Sequence, residues 1–325
     1  MRGPLLERYA HNPIITRQHV PDLGPHLRDV SSVFNPGAVR FGQQTLLVVR
    51  VQNRGRETFL MLARSHDGIH FDIEPKLIQL EGIDAVTETI YHIYDARITA
   101  IGADYYLMFA MDMAVGCRLG LAHTTDFLCF RFLGIVSQDD NRNGVLFPEK
   151  VGGRYLRLDR PNGVRLASGV ATGDGIWLSA SSDLLNWEPQ QEVLAGRWHY
   201  WDELIGAGPP PLKTHEGWLL LYHGVATHLN TGHIYQAGVA LLDLHNPARV
   251  LARGRYNILE PREPYELMGQ VPNVVFPSGW TADHVDADGF TLPHATISVY
   301  YGAADTQVAL AFTSVAALVS ACREE

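Results

Sequence analysis

NPGAVRFGQQTLLVVR, residues 35–50, is the stretch on which the fold turns. An apolar, β-branched run (45–50) follows a second strand-like run across a turn at Gly42, and it ends in one charged residue, Arg50. Two such runs separated by so short a joint form a hairpin. The construction recurs in DARITAIGADYYLMFAMD (95–112), GVLFPEKVGGRYLRLDR (144–160) and GPPPLKTHEGWLLLYHG (208–224). It recurs once more where PNVVFPSG (272–279) precedes ISVYYGAAD (297–305). Further strand-like runs follow: FLMLARSHDG, RLGLAHTTDF, GIWLSASSDL, YQAGVALLDL and QVALAFTSV. Ser/Asp/Gly turns such as Ser65 to Gly68 and Ser181 to Asp183 close them. A unit of three or four antiparallel strands repeated roughly every 50–80 residues is the pattern of propeller blades. The expectation is an all-β, five-bladed β-propeller built as a single domain over residues 1–325, with a large β-sandwich as the alternative. Only the final dozen residues, SVAALVSACREE, carry helical spacing, with Thr313 or Ser314 as N-cap.

Composition narrows the function. The 325 residues carry a net charge of -9, so nucleic acid is not the expected main partner, because phosphate-backbone binding needs a basic face. No run approaches the ~20 apolar residues that span a bilayer, and no membrane partner is expected. Cys117, Cys129 and Cys322 have neither metal-type spacing nor a disulfide framework, which fits a reducing cytoplasm. The fifteen His are scattered with no HExxH, so no metal is expected. Neither a phosphate-binding glycine loop nor a G-x-S-x-G elbow occurs. Outer strands of a propeller can pack in several ways, which leaves a homo-oligomer open.

Sites in propellers sit on the central channel, and the recurring hairpins end at Arg50, Asp112, Arg160, His223 and Asp305. A polar residue closing an apolar strand is usually a solvated end; polar residues at equivalent places in all five units point to a shared mouth. Asp95, in Tyr94-Asp95-Ala96-Arg97, can enter the channel as a general acid or base, with Arg97 two residues on facing the same side. The bland reading is a turn aspartate bonded to nearby backbone N–H groups. Arg142, Asn143, Arg160, Lys213 and His223 fall in corresponding parts of adjacent units and can form an oxyanion site, against the bland reading of unrelated solvated cations. Trp177, Trp187, Trp198, Trp201 and Trp218 cluster in the second half, as sugar platforms or as core.

These motifs together resemble glycoside hydrolase family 130, the five-bladed propellers that include the β-mannoside phosphorylases. The resemblance is carried by NPGA (35–38) with Arg50, YDARIT (94–99), NRNGVLFP (141–148), IGAGPPP (205–211) with Lys213, WLLLYHG (218–224), VPNVVFP (271–277) and YGAADT (301–306). It implies that Asp95 is the single catalytic acid, and that Arg142, Asn143, Arg160, Lys213, His223 and Tyr235 bind inorganic phosphate. It further implies that Asn35, Arg50 and Asp305 hold the mannosyl ring in the -1 subsite, with Tyr94 and Arg97 also toward substrate. The implied reaction is inverting phosphorolysis: phosphate attacks the anomeric carbon of a β-mannoside and releases α-mannose 1-phosphate. The substrates are manno-oligosaccharides or mannosyl-N-acetylglucosamine, and phosphate is a co-substrate rather than a cofactor. In the family's proposed mechanism the acid protonates the glycosidic oxygen through the mannose 3-hydroxyl. Ala96 departs from the family's usual proline, which costs rigidity at the strand entry.

Two other function classes remain to be weighed. An inverting hydrolase needs a second carboxylate to activate water, whereas a phosphorylase needs cations to hold an anion that is already nucleophilic. The cationic set favours phosphorolysis, and Asp202 and Glu203 are the suspects should hydrolysis hold instead. A non-catalytic sugar-binding propeller would keep aromatic and -1 residues while losing Asp95 or the cations, and neither loss is present.

Overall fold

The two strands of each repeated hairpin pair antiparallel, across glycine turns in blades one to three, and the blades grow outward from them. The computed structural model describes residues 5–25, 27–165, 171–228 and 232–324. Blade one runs Ser32–Phe41, Gln44–Gln52, Thr58–Ser65 and Asp72–Leu77, all antiparallel and in chain order. Blade two is Ile90–Ile101, Asp104–Met113, Gly116–Thr124 and Phe130–Ile135, with Leu80–Glu81 added parallel to its outer edge. Blade three is Asn141–Leu146, Tyr155–Pro161, Gly175–Ser181 and Glu188–Ala195. Blade four starts with Leu204–Ala207, interrupted by the three prolines before Leu212–Thr214, and continues through Gly217–His228, Gly232–Leu242 and Val250–Arg253. Proline has no N–H to donate to a ladder, which is why the first strand breaks there.

The last blade closes the ring. Val275–Ala282, Thr296–Ala303 and Gln307–Ser314 receive as their fourth strand Glu7–Arg8, from the start of the chain. Arg8 is held there by the fully buried Glu266 at 2.8 Å, to which Tyr301 also donates its hydroxyl. Glu266 sits on a one-turn helix, Pro264–Leu267, too short to leave a helical spacing in the sequence. The C-terminal helix Val315–Arg323 is where its spacing placed it, and Ser314 caps it by accepting from Ala317 N–H.

Turns of the type S/T-x-D recur between the third and fourth strands of blades one to three. Ser65, Thr124 and Ser181 each accept the backbone N–H three residues on, and Asp67, Asp126 and Asp183 accept the two that follow. Apolar side chains fill the spaces between neighbouring blades, as stacked sheets require. Among the described residues, the space between blades two and three holds six buried apolar residues, where each of the other four holds 14 or more.

Candidate active site

The first strands of blades one, two and three all slip register near the mouth of the channel, at Phe34/Gly37, Tyr94/Arg97 and Arg142/Val145. The bulged residues are Asn35, Asp95 and Asn143, with φ of 48°, 55° and 53°. Asn and Asp are the side chains that best tolerate this left-handed region, and a bulge re-aims its side chain. The three polar groups thereby turn toward one another at the channel mouth. Blade four presents Gly206 beside Asn143, where an added Cβ would stand 2.5 Å from His223 Cε1 and closer still to Asn143 Nδ2.

Around these bulges the structure brings together Asn35, Arg50, Tyr94, Asp95, Asp112, Arg142, Asn143, Arg160, His223, Tyr235 and Asp305, with Val271, Val274 and Phe276, in a cavity of about 280 Å³. All five hairpin-end residues lie in it. Asp95 is not a turn aspartate: its Oδ1 accepts from Asn35 Nδ2 at 3.0 Å and from Arg50 Nη1 at 3.2 Å, both from blade one. Arg50 is clamped between the rings of Phe34 and Tyr94, 4.6 and 4.7 Å from their centroids. Asp305 closes this side of the cavity, its carboxyl raised to about 6 by burial, with the charge of Asp95 adding to the effect and Arg50 opposing it.

The opposite side is cationic. Arg142 reaches Asp112 Oδ1 at 3.4 Å, the same oxygen that takes the Tyr94 hydroxyl at 2.7 Å. Arg160 is 7% exposed, and its Nε has no partner among the described residues. Burial pulls its pKa down to about 10, with the neighbouring charge of Arg142 acting the same way and Tyr235 opposing, so it remains a cation at neutral pH. His223 is fully buried, and burial, then Arg160 and Arg97, hold its pKa well below the usual imidazole range. It is therefore a neutral ring, stacked beside Tyr235 and 3.4 Å from Asn143 Nδ2. Two guanidiniums whose Nε atoms have no partner among the described residues, an amide and a neutral imidazole are chemically suited to a small oxyanion.

Two expectations are corrected. Lys213 does not line the cavity: it pairs with Trp218, five residues along the strand from His223, a separation of about 17 Å. Its ammonium is engaged by Glu149 Oε2 at 2.9 Å and the Asp288 carbonyl at 3.1 Å. Arg97 does not face the channel beside Asp95, because the bulge between them breaks the two-residue alternation. It lies beneath the cavity, 1% exposed, donating from Nη1 to the Asp95 carbonyl at 2.6 Å and packing on the Phe276 ring. Arg97 is a positioning group that pins the backbone of the left-handed Asp95.

Asp112, to which the resemblance gives no role, and Phe276 also line the cavity. The signal for Asp112 was its place at the second hairpin end, equivalent to Arg50 and Arg160; Phe276 had no polar signal to show. Asp202 and Glu203 lie outside the cavity. Asp202 is fully buried under Arg197, Arg253 and the Tyr222 hydroxyl, and Glu203 accepts from Thr227. Of the tryptophans, Trp218 is core and Trp201 stacks on Tyr222, while Trp198 is exposed. Among the described residues, no helix is long and apolar enough to cross a membrane.

The fold and this cavity can be compared with known proteins. The family profile described as beta-1,4-mannooligosaccharide phosphorylase matches residues 6–324. A β-1,4-mannooligosaccharide phosphorylase of Ruminococcus albus is 35% identical over 314 residues, covering 95% of this chain and 88% of that protein. A 1,2-β-oligomannan phosphorylase of Thermoanaerobacter sp. is 32% identical, covering 86% of this chain and 89% of that one. Among solved structures, β-1,2-mannobiose phosphorylase from Listeria innocua in complex with β-1,2-mannobiose superposes with a TM-score of 0.83 at 28% identity, covering 98% of this chain and 99% of that one. Five blades, a bulged aspartate at the channel mouth and a match over nearly every residue lead to one conclusion: the chain belongs to glycoside hydrolase family 130.

Proposed function

We propose that this protein is an inverting β-mannoside phosphorylase, taking a β-linked manno-oligosaccharide or mannosyl-N-acetylglucosamine and inorganic phosphate to α-mannose 1-phosphate. The observation that carries the reading is the division of the cavity. One side offers Asp95, oriented by Asn35 and Arg50; the other offers the guanidiniums of Arg142 and Arg160, whose Nε atoms, like that of Arg50, have no partner among the described residues. A cavity of about 280 Å³ suits one sugar ring with a small anion beside it, at the lower end of ligand-pocket sizes.

In the reaction a phosphate oxygen held by Arg142, Arg160, Asn143 and His223 forms the new bond to the anomeric carbon. The bond from that carbon to the leaving sugar's oxygen breaks on the opposite face. Asp95 supplies the proton that the departing oxygen takes, relayed by a ring hydroxyl as the family mechanism has it. Phosphate needs no base to become nucleophilic, so the cations replace the second carboxylate of an inverting hydrolase. His223, being neutral, binds phosphate without adding charge; the positive potential comes from the two arginines.

The test is turnover of a manno-oligosaccharide with and without phosphate, followed by proton NMR of the anomeric region. The expected outcome is slow turnover without phosphate, and α-mannose 1-phosphate as the new sugar product once it is added. Fast release of free mannose in phosphate-free buffer would overturn the reading and direct attention to Asp305 or Asp112, the other carboxylates in the cavity. A β-configured sugar phosphate would overturn inversion.

A further inference from the structure

The thinly packed space between blades two and three opens into a second cleft of about 310 Å³. Its floor is polar. Arg157 and Asp159, 3% and 2% exposed, are bonded to each other at 2.8 Å, and Ser179 donates to the same Asp159 oxygen. Both of these bonds fall on Asp159 Oδ2, and the residue, almost wholly buried, lines the cleft. Directly opposite in the ladder stands Trp177, 36% exposed, a cross-strand pairing that sets the two Cβ atoms about 5 Å apart.

We propose that this cleft is a second mannoside-binding site, holding a pyranose unit with its C–H face on the Trp177 indole and a hydroxyl donating to the Asp159 carboxylate. An exposed indole beside a carboxylate that lines the same cleft is a recognition pair for a neutral polyol. An anion is disfavoured there, because Asp139 and Glu188 also line the cleft and the Arg157 charge is answered by Asp159. Trp187 is stacked under Arg157, 4.5 Å from its guanidinium carbon to the ring centroid. The mannosyl assignment rests on the phosphorylase reading above, since this oligosaccharide is the polyol the enzyme would meet.

The cleft is tied to the active cavity by the strands they share. Asn141 lines the cleft, its Oδ1 accepts the Arg160 backbone N–H at 3.0 Å, and Arg142 follows it in the chain. Asp159 precedes Arg160 and faces the other side of the blade. Occupancy of the cleft therefore bears on the strand pair that presents both phosphate-side arginines.

Calorimetric titration of β-1,4- and β-1,2-mannotetraose into phosphate-free Asp95→Asn protein tests this. Two binding sites are expected, with the second lost in Trp177→Ala and kept in Trp177→Phe, which preserves a stacking face. In the Asp95 background the ratio of tetraose to mannobiose turnover should then fall about tenfold with Trp177→Ala; this kinetic arm uses the enzyme with its aspartate intact. One site in both proteins, or two sites surviving Trp177→Ala, would overturn the cleft. Cellotetraose bound as tightly would overturn its mannoside specificity. Absence of phosphorolysis on mannobiose by the unsubstituted enzyme would instead strike the phosphorylase reading, leaving the titration to speak for the cleft alone.

Discussion

Replacing Arg160 with methionine removes a guanidinium that the fold buries without a counter-ion at its Nε. Burial and the charge of Arg142 bring its pKa from 12.5 to about 10. At roughly 1.4 kcal/mol per unit, the empty site carries about 3 kcal/mol of unfavourable electrostatics. A phosphate between the two guanidiniums relieves this and gains charge-assisted bonds of about 1.5–3 kcal/mol each. Losing one such bond raises the apparent KM for phosphate roughly 10- to 150-fold. The KM for the mannoside, held on the Asp95 side, should move less than about threefold. The same substitution should raise the melting temperature of the phosphate-free protein by a few degrees, because an apolar side chain of similar length replaces an uncompensated buried charge. A base whose folded pKa is lowered carries its full cost below that pKa, so the gain in Tm should persist from pH 5 to 9 and shrink only above about 10. Steady-state kinetics with phosphate varied, and thermal melts with and without 10 mM phosphate (roughly a saturating level), check both halves. Equal damage to both KM values, or a lower Tm with phosphate affinity unchanged, would refute the reasoning and make Arg160 a structural residue.

Asp95→Asn should reduce phosphorolysis and synthesis together by about 10²–10⁴-fold with the fold retained; a rate within tenfold of the unsubstituted enzyme would remove Asp95 from catalysis. For Asp305, burial raises the carboxyl from 3.8 to about 6, a cost absent below pH 4 and complete above pH 6. Asp305→Asn should accordingly match the unsubstituted protein in thermal melts near pH 4 and exceed it above pH 6, by up to about 3 kcal/mol, and the opposite slope would contradict that assignment. Gly206→Ala forces a methyl against His223 and Asn143, so the KM for phosphate should rise at least about tenfold while the mannoside KM holds. An unchanged phosphate KM would mean that the close approach of blade four has no part in anion binding.

What the sequence by itself determined was whatever has a local cause. Strand alternation, glycine turns and a strand-end polar residue in every unit all act within about twenty residues, and they marked the five hairpins and placed Arg50, Asp112, Arg160, His223 and Asp305 in equivalent positions. The C-terminal helix was legible for the same reason, with Ser314 as its cap. The closing strand Glu7–Arg8 was not, since two residues carry no periodicity and their partners lie some 300 positions away. Only the tertiary structure decided which side chains face the channel. The bulges at Asn35, Asp95 and Asn143 shift the alternation by one residue, sending Asp95 into the cavity and Arg97 beneath it. Lys213 was misplaced because the proline-interrupted first strand of blade four carries it toward the far end of the sheet, where Glu149 takes its charge. A bulge depends on pairing with the neighbouring strand, and a cavity on the convergence of five blades; neither is a property of any one segment of the chain.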